Sequence, residues 1–166
     1  MDYKSKLALV TGASSGLGAA YASELAKRGS NLILVARRKS ALDKLAKELT
    51  ESHGVAVTVI DMDLSEPKSG VHLLERLSKE ELSPDILINN AGFGTSGRLS
   101  GENPERIEDE ITLNVATLVA LTRGILPSLL KQNSGAIVNI ASTAAYQPVP
   151  GMAVYAATKA FVLSFT

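Results

Sequence analysis

Tyr155 and Lys159 stand four residues apart in VYAATKAFVLSFT, the stretch that closes this 166-residue chain. On a helix that spacing puts both side chains on one face. A phenol titrates near pH ~10 in water and is a poor proton donor or acceptor at neutral pH. An ammonium beside it favours the phenolate and moves the titration towards the working range. Such a pair can act as an acid–base device, and the same spacing also serves ordinary packing on a helix surface.

A second stretch with chemical content is VTGASSGLG, Val10 to Gly18. It leaves a short apolar run and enters a helical pattern. Gly12, Gly16 and Gly18 permit a tight turn and the close approach of a phosphate. The helix N-terminus beyond them offers free N–H groups and the positive end of its dipole. The spacing is G-x-x-x-G-x-G, not the better-known G-x-G-x-x-G, and a plain strand–helix turn also selects small residues. The next apolar run ends in LVARR. There Arg37 and Arg38 occupy the place where a site selective for NAD carries an acidic residue. A guanidinium can stack on adenine and pair with a 2′-phosphate, or it can be a solvated loop charge. The functional reading is a preference for NADP(H) over NAD(H), with Arg37 the principal residue and Arg38 in support.

Placing these groups requires a frame, and the chain alternates strand-like and helix-like segments. Leu7–Val10, Asn31–Ala36, Val55–Ile60, Asp85–Asn89 and Ala136–Ile140 read as strands. Helical patterns run over Gly16–Arg28, with Ala20, Leu25 and Ala26 on one side, and over Ser40–His53. Another spans Pro67–Leu82, with Pro67 in its first turn. A long one spans Pro104 to about Lys131, bent near Gly124 and Pro127, and a last one starts at Ala153. Fully apolar strands alternating with helices mean a parallel sheet with helices on both faces. Residues 7 to 60 form one complete β-α-β-α-β mononucleotide-binding half. The length fits a single domain over residues 1–166.

Lysine plus arginine equals aspartate plus glutamate, so there is no net basic field to draw nucleic acid or a membrane surface. Cysteine is absent, which excludes disulfides, thiol catalysis and zinc–thiolate sites. No apolar run approaches the ~20 residues of a membrane span, and the N-terminal apolar run is too short for a signal-peptide core. The expectation is a cytoplasmic protein. His53 and His72 read as helix-surface residues, and Phe93 as a lining residue of a substrate pocket.

Together these stretches resemble the short-chain dehydrogenase/reductase family, in its single-domain branch. The similar motifs run in order: Thr11-Gly12-Ala13-Ser14-Ser15-Gly16-Leu17-Gly18, Asp63-Leu64, Asn89-Asn90-Ala91-Gly92, Asn114, Ser142, and Tyr155-x-x-x-Lys159. The resemblance implies a Rossmann-type doubly wound sheet. It also implies cofactor contacts from the glycine loop, from Asp63 and Leu64 at the adenine, and from Asn90, Ala91 and Gly92. It counts Tyr155 and Lys159 among the cofactor contacts as well, Lys159 at the nicotinamide ribose, and gives Ser142 the substrate oxygen and Asn114 a water that relays protons to Lys159. The implied reaction is hydride transfer between the nicotinamide and an alcohol or carbonyl compound, with Tyr155 as acid/base. Dimers or tetramers through the long helix and the last helix are implied too.

Family members usually continue past this point with further strands and a mobile loop over the substrate. The expectation is therefore a domain incomplete at its C-terminal end, with the last strand an uncovered edge and the last helix short of packing. A second reading follows from the missing wall: a non-catalytic dinucleotide-binding module, or an inactive fragment of such an enzyme.

Overall fold

A computed structural model describes residues 3–166. Its centre is a five-stranded, wholly parallel sheet in the order β3-β2-β1-β4-β5. The strands are β1 (Leu7–Thr11), β2 (Asn31–Ala36), β3 (Val57–Asp61), β4 (Ile86–Asn89) and β5 (Ala136–Asn139). The helices are α1 (Gly16–Lys27), α2 (Lys39–His53), α3 (Ser69–Lys79), α4 (Pro104–Ile111), α5 (Leu118–Gln132) and α6 (Ala153–Phe165).

The unbroken apolar runs of β1 and β2 are explained by burial on both faces. Ala8, Val10, Leu32 and Leu34 point to one side and pack with Ala22, Leu25 and Ala26 of α1 and Leu42 and Leu49 of α2. Leu9, Ile33 and Val35 point to the other and pack with Leu73 and Leu77 of α3 and Leu121, Ile125 and Leu129 of α5. The period of two divides each strand between two cores. Ala20, expected on the inner side of α1, faces solvent; Ala22 takes that place, in step with Leu25 and Ala26.

Two helices differ from expectation. Pro67 is not in the first turn of α3. It sits in a tight turn closed by Ser69 N–H to Glu66 C=O at 3.1 Å, with Lys68 left-handed at φ 62°. Proline suits the second position of such a turn, and the helix starts only after it. The long helix carries its irregularity not at Gly124 or Pro127 but as a π-helical stretch, Thr112–Thr117, between α4 and α5. π-Helical turns inside α-helices are frequent at functional sites. Taken whole, Pro104–Gln132 is long and apolar enough to cross a membrane, although no single apolar run in the sequence suggested it. In this fold its Leu118, Leu121, Ile125 and Leu129 are buried.

β5 pairs with β4 and, among the described residues, with no other strand; its side chains are only half-buried. Beside it, α6 leaves Phe161, Leu163 and Phe165 exposed, the two phenylalanine rings stacked at 5.6 Å.

Candidate functional site

The strand order reverses at β1, whose two neighbours are β2 and β4. In an open parallel sheet the crevice beyond such a point is where ligands bind. Here the crevice is built by stitching β1 to β4. Thr11 Oγ1 donates to Ile88 C=O at 3.2 Å and accepts from the N–H groups of Asn90 and Ala91, each at 3.0 Å. Asn90 Nδ2 donates back to Thr11 C=O at 2.9 Å and Gly12 C=O at 3.3 Å. The Asn90 side chain therefore holds the glycine loop, and the backbone of Ala91 and Gly92 is left to line the cleft.

That stitching explains two glycines. Gly12 has φ 66°, and a Cβ on it would lie 2.8 Å from Asn90 Nδ2 and 2.9 Å from Ala91 Cα. A Cβ on Gly18 would collide with Gly12 C=O and lie 2.6 Å from Asn90 Nδ2. Only bare backbone lets α1 start so close to the strand ends. The N-cap, Ser15, makes no side-chain cap bond, so the first N–H groups of α1 keep their donors.

Two adjoining cavities share Gly12, Ser15, Ala91 and Gly92. The first, about 420 Å³, is lined by Ser14, Arg37, Arg38, Asp63 and Leu64, and by Ala36, Met62, Phe93 and Leu113. Arg38 lies over the loop, its Nη2 donating to Ser14 C=O and Oγ, each at 3.2 Å. Arg37 turns to Asp63, with Nη1 to Oδ2 at 3.5 Å. Burial acts to raise the Asp63 carboxyl, but donors from Ser65 Oγ, Ser65 N–H and Arg37 outweigh it and hold it below the ordinary carboxylate value. Leu64 is buried, and its carbonyl accepts from Ser69 Oγ at 2.8 Å and Thr117 Oγ1 at 2.9 Å. Phe93 lines this first cavity; its backbone is tied to Asn114, and the Arg106 guanidinium carbon lies 4.2 Å from its ring centre.

The second cavity, about 480 Å³, brings together Leu17, Asn90, Ser142, Tyr155 and Lys159. Ser142 is extended and caps the start of the short helical turn Thr143–Ala145 that follows β5; its Oγ accepts from Ala144 N–H at 3.2 Å, which leaves the hydroxyl proton free to donate. Lys159 is 5% exposed and donates to Ile140 C=O at 2.7 Å. Burial holds its ammonium below the usual lysine value. Nζ lies 5.8 Å from the Tyr155 ring centre, so the ammonium and the phenol are neighbours. The ring itself lies against Gly94, where a Cβ would come within 2.8 Å of it.

Asn114 does not line either cavity. It sits in the π-helical stretch, 1% exposed, and its amide is spent on protein: Nδ2 donates to Phe93 C=O at 2.8 Å and Thr158 Oγ1 at 3.0 Å, and Oδ1 accepts from Phe93 N–H at 3.2 Å. Gly92 is the link to the lysine, since a Cβ there would lie 2.9 Å from Asn114 Oδ1 and 3.3 Å from Lys159 Nζ. Sequence reasoning did not single out Thr158 or Glu110. Thr158 was legible only as the neighbour of Lys159. Glu110 sits in PERIEDEI, a charged run that reads as a solvated face. Its spacing from Asn114 and Thr117, three to four residues at a step along the buried stripe, was the available signal.

His53 and His72 are exposed, as expected for helix-surface residues. Among the described residues no cluster of side chains could hold a metal ion.

The family model for short chain dehydrogenases matches residues 6–166. The NADP-dependent 3-hydroxy acid dehydrogenase of Schizosaccharomyces pombe is 39% identical over 163 residues, covering 97% of this chain and 63% of that protein. A short-chain dehydrogenase from Sphingobium yanoikuyae, solved in complex with NADPH, is 45% identical with a TM-score of 0.90, covering 96% of this chain and 62% of that one. L-Sorbose reductase from Gluconobacter frateurii, complexed with NADPH and L-sorbose, is 35% identical with a TM-score of 0.89, covering 99% of this chain and 64% of that one. The chain thus spans between about half and two thirds of the length of such relatives. It belongs to the short-chain dehydrogenase family.

Proposed function

We propose that this chain carries the coenzyme site and the acid–base group of an NADP(H)-dependent oxidoreductase acting on an alcohol or carbonyl compound. The observation that carries it is the joining of two cavities at Gly12, Ser15, Ala91 and Gly92, one lined by Arg37 and Arg38, the other by Ser142, Tyr155 and Lys159. A dinucleotide fits this layout. The bare glycine backbone and open N-terminus of α1 suit a pyrophosphate, the two guanidinium groups suit a 2′-phosphate, and relatives use or hold NADP(H).

When bound, the nicotinamide supplies or accepts the hydride. The protein's own part is the proton. Tyr155 gives its hydroxyl proton to the oxygen of a carbonyl being reduced, or takes one from an alcohol being oxidised. Ser142 donates its free hydroxyl proton to the same oxygen and fixes its place. Lys159, buried and next to the ring, stabilises the phenolate left behind. Asn114 acts here through the Phe93 backbone and Thr158, so a proton path through its side chain has only the second lone pair of Oδ1 to use. A module that only binds dinucleotide has no use for a buried ammonium beside a tyrosine. The reading includes self-association through the outer face of the long helix, where Ile111, Leu126 and Leu130 are exposed, and through α6, where Phe161, Leu163 and Phe165 are exposed.

A fluorescence titration of the mass-verified chain with NADPH and, separately, NADH tests the coenzyme half. Micromolar NADPH binding with much weaker NADH binding is expected. Equal affinities would remove the role given to Arg37 and Arg38.

A further inference from the structure

Among the described residues, Glu110 and Lys159 are the only charged side chains that the fold buries. Lys159 has a place in the chemistry proposed above. Glu110, 0% exposed on α4, has none. Its Oε2 accepts from Thr95 N–H at 2.8 Å, and its Oε1 has no hydrogen-bond partner among the described residues. A carboxyl oxygen withdrawn from water without a hydrogen-bond partner is unfavourable. An aliphatic side chain would fill the same space without that penalty, so packing does not explain the residue.

What the carboxylate holds does explain it. Asn114, one helical turn further on, takes both main-chain polar groups of Phe93. Glu110 takes the N–H of Thr95. Gly94 lies between them, and its backbone is the surface against which the Tyr155 ring rests, close enough that a Cβ would meet Cγ and Cδ2 at 2.8 Å. Further along, Gly97 N–H donates to Gly151 C=O at 2.8 Å and ties the same loop to the approach of α6. Residues 93–95 are thus pinned at both ends by buried side chains of one helix, with the tyrosine ring on the middle.

We propose that Glu110 is a positioning residue for Tyr155: by holding Thr95 N–H it fixes the Gly94 backbone under the ring and so sets where the phenol oxygen stands relative to Ser142 and Lys159. This rests on Tyr155 being the acid–base group. Without the acceptor, the Thr95 end of the segment is released and the ring loses one wall. A small displacement of a proton-transfer group is enough to cost about 10- to 100-fold in turnover without touching the coenzyme site.

The test uses the full chain with NADPH and an accepted carbonyl substrate. Glu110→Ala should lower kcat by about 10- to 100-fold with NADPH affinity unchanged, and hydrogen exchange should rise at the amides of Gly94 and Thr95 while that of Phe93, held by Asn114, stays protected. Glu110→Gln keeps an acceptor oxygen and should restore both readouts; a Gln variant as poor as the Ala variant overturns the proposal. Glu110→Asp, which keeps the charge but withdraws the acceptor by one methylene, carries the test if the Ala variant does not fold, and wild-type kcat in it overturns the proposal. Tyr155→Phe separates the two readings. If it is inactive while Glu110→Ala stays within about twofold of wild type, the positioning role is wrong and the tyrosine stands. If Tyr155→Phe retains turnover, the acid–base reading fails and this proposal fails with it, while the exchange rates still report whether Glu110 holds the loop.

Discussion

Asn114 holds Phe93 by both of its main-chain polar groups, accepting from the N–H at 3.2 Å and donating to the C=O at 2.8 Å. Its second amide hydrogen goes to Thr158 Oγ1. A side chain so used ties the loop after β4 to α6 and needs an amide's two donors and one acceptor. Asn114→Asp keeps the shape and loses both donors. It should destabilise the fold by about 1–3 kcal/mol for each acceptor left unpaired, more if the new charge stays ionised. Urea unfolding reads this directly, and an aspartate variant as stable as the parent would contradict the bonding described.

Tyr155→Phe removes the hydroxyl and leaves the ring on Gly94. Turnover with any accepted carbonyl compound should fall by about 10²- to 10⁴-fold, the usual contribution of a positioned proton donor. NADPH binding should be unaffected. The loss of NADPH absorbance during turnover and a coenzyme titration measure the two separately.

Arg38, and not Arg37, reaches the glycine loop. Arg38→Ala should therefore weaken NADPH binding by about 10- to 100-fold, as expected for lost hydrogen bonds to a charged group, and leave NADH binding nearly unchanged. Arg37→Ala should have the smaller effect, since that guanidinium faces Asp63. Coenzyme titrations of the two variants rank them; a larger loss at Arg37 reverses the assignment.

Burial lowers the Lys159 ammonium from its usual 10.5. Between the depressed value in the fold and 10.5, the unfolded chain binds more protons than the folded one. Stability therefore rises with pH across that window, and below it the cost of the buried charge is fully present. Lys159→Met cannot show this rise. In denaturant titrations of the coenzyme-free protein, the wild type should gain on the variant as pH climbs through the window. A difference that stays flat would mean the ammonium is not desolvated.

The parallel sheet was legible because its strands are buried on both faces and must be apolar throughout, as in NLILVA. The glycine loop was legible because backbone contact with Asn90 and Ala91 tolerates no Cβ at Gly12. Other features lie beyond local pattern. Pro67 suits the first turn of a helix and the second position of a tight turn equally well, and the left-handed Lys68 decided between them. Gly124 and Pro127 looked like the places for a long helix to yield, yet it is rewound around Asn114, where a side chain must reach Phe93 and Thr158 together. The sequence also could not say which arginine would lie on Ser14, because that depends on Asp63, 26 residues further on, engaging the other.

The two adjoining cavities draw on different stretches of chain. The first cavity takes its charged side chains, Arg37, Arg38 and Asp63, from residues before β4, and the second takes Ser142, Tyr155 and Lys159 from residues after it. They share little more than backbone at Gly12, Ser15, Ala91 and Gly92. On the reading proposed above, coenzyme choice and reactivity are separable: exchanging an arginine after β2 and remodelling the surroundings of Tyr155 touch different side chains.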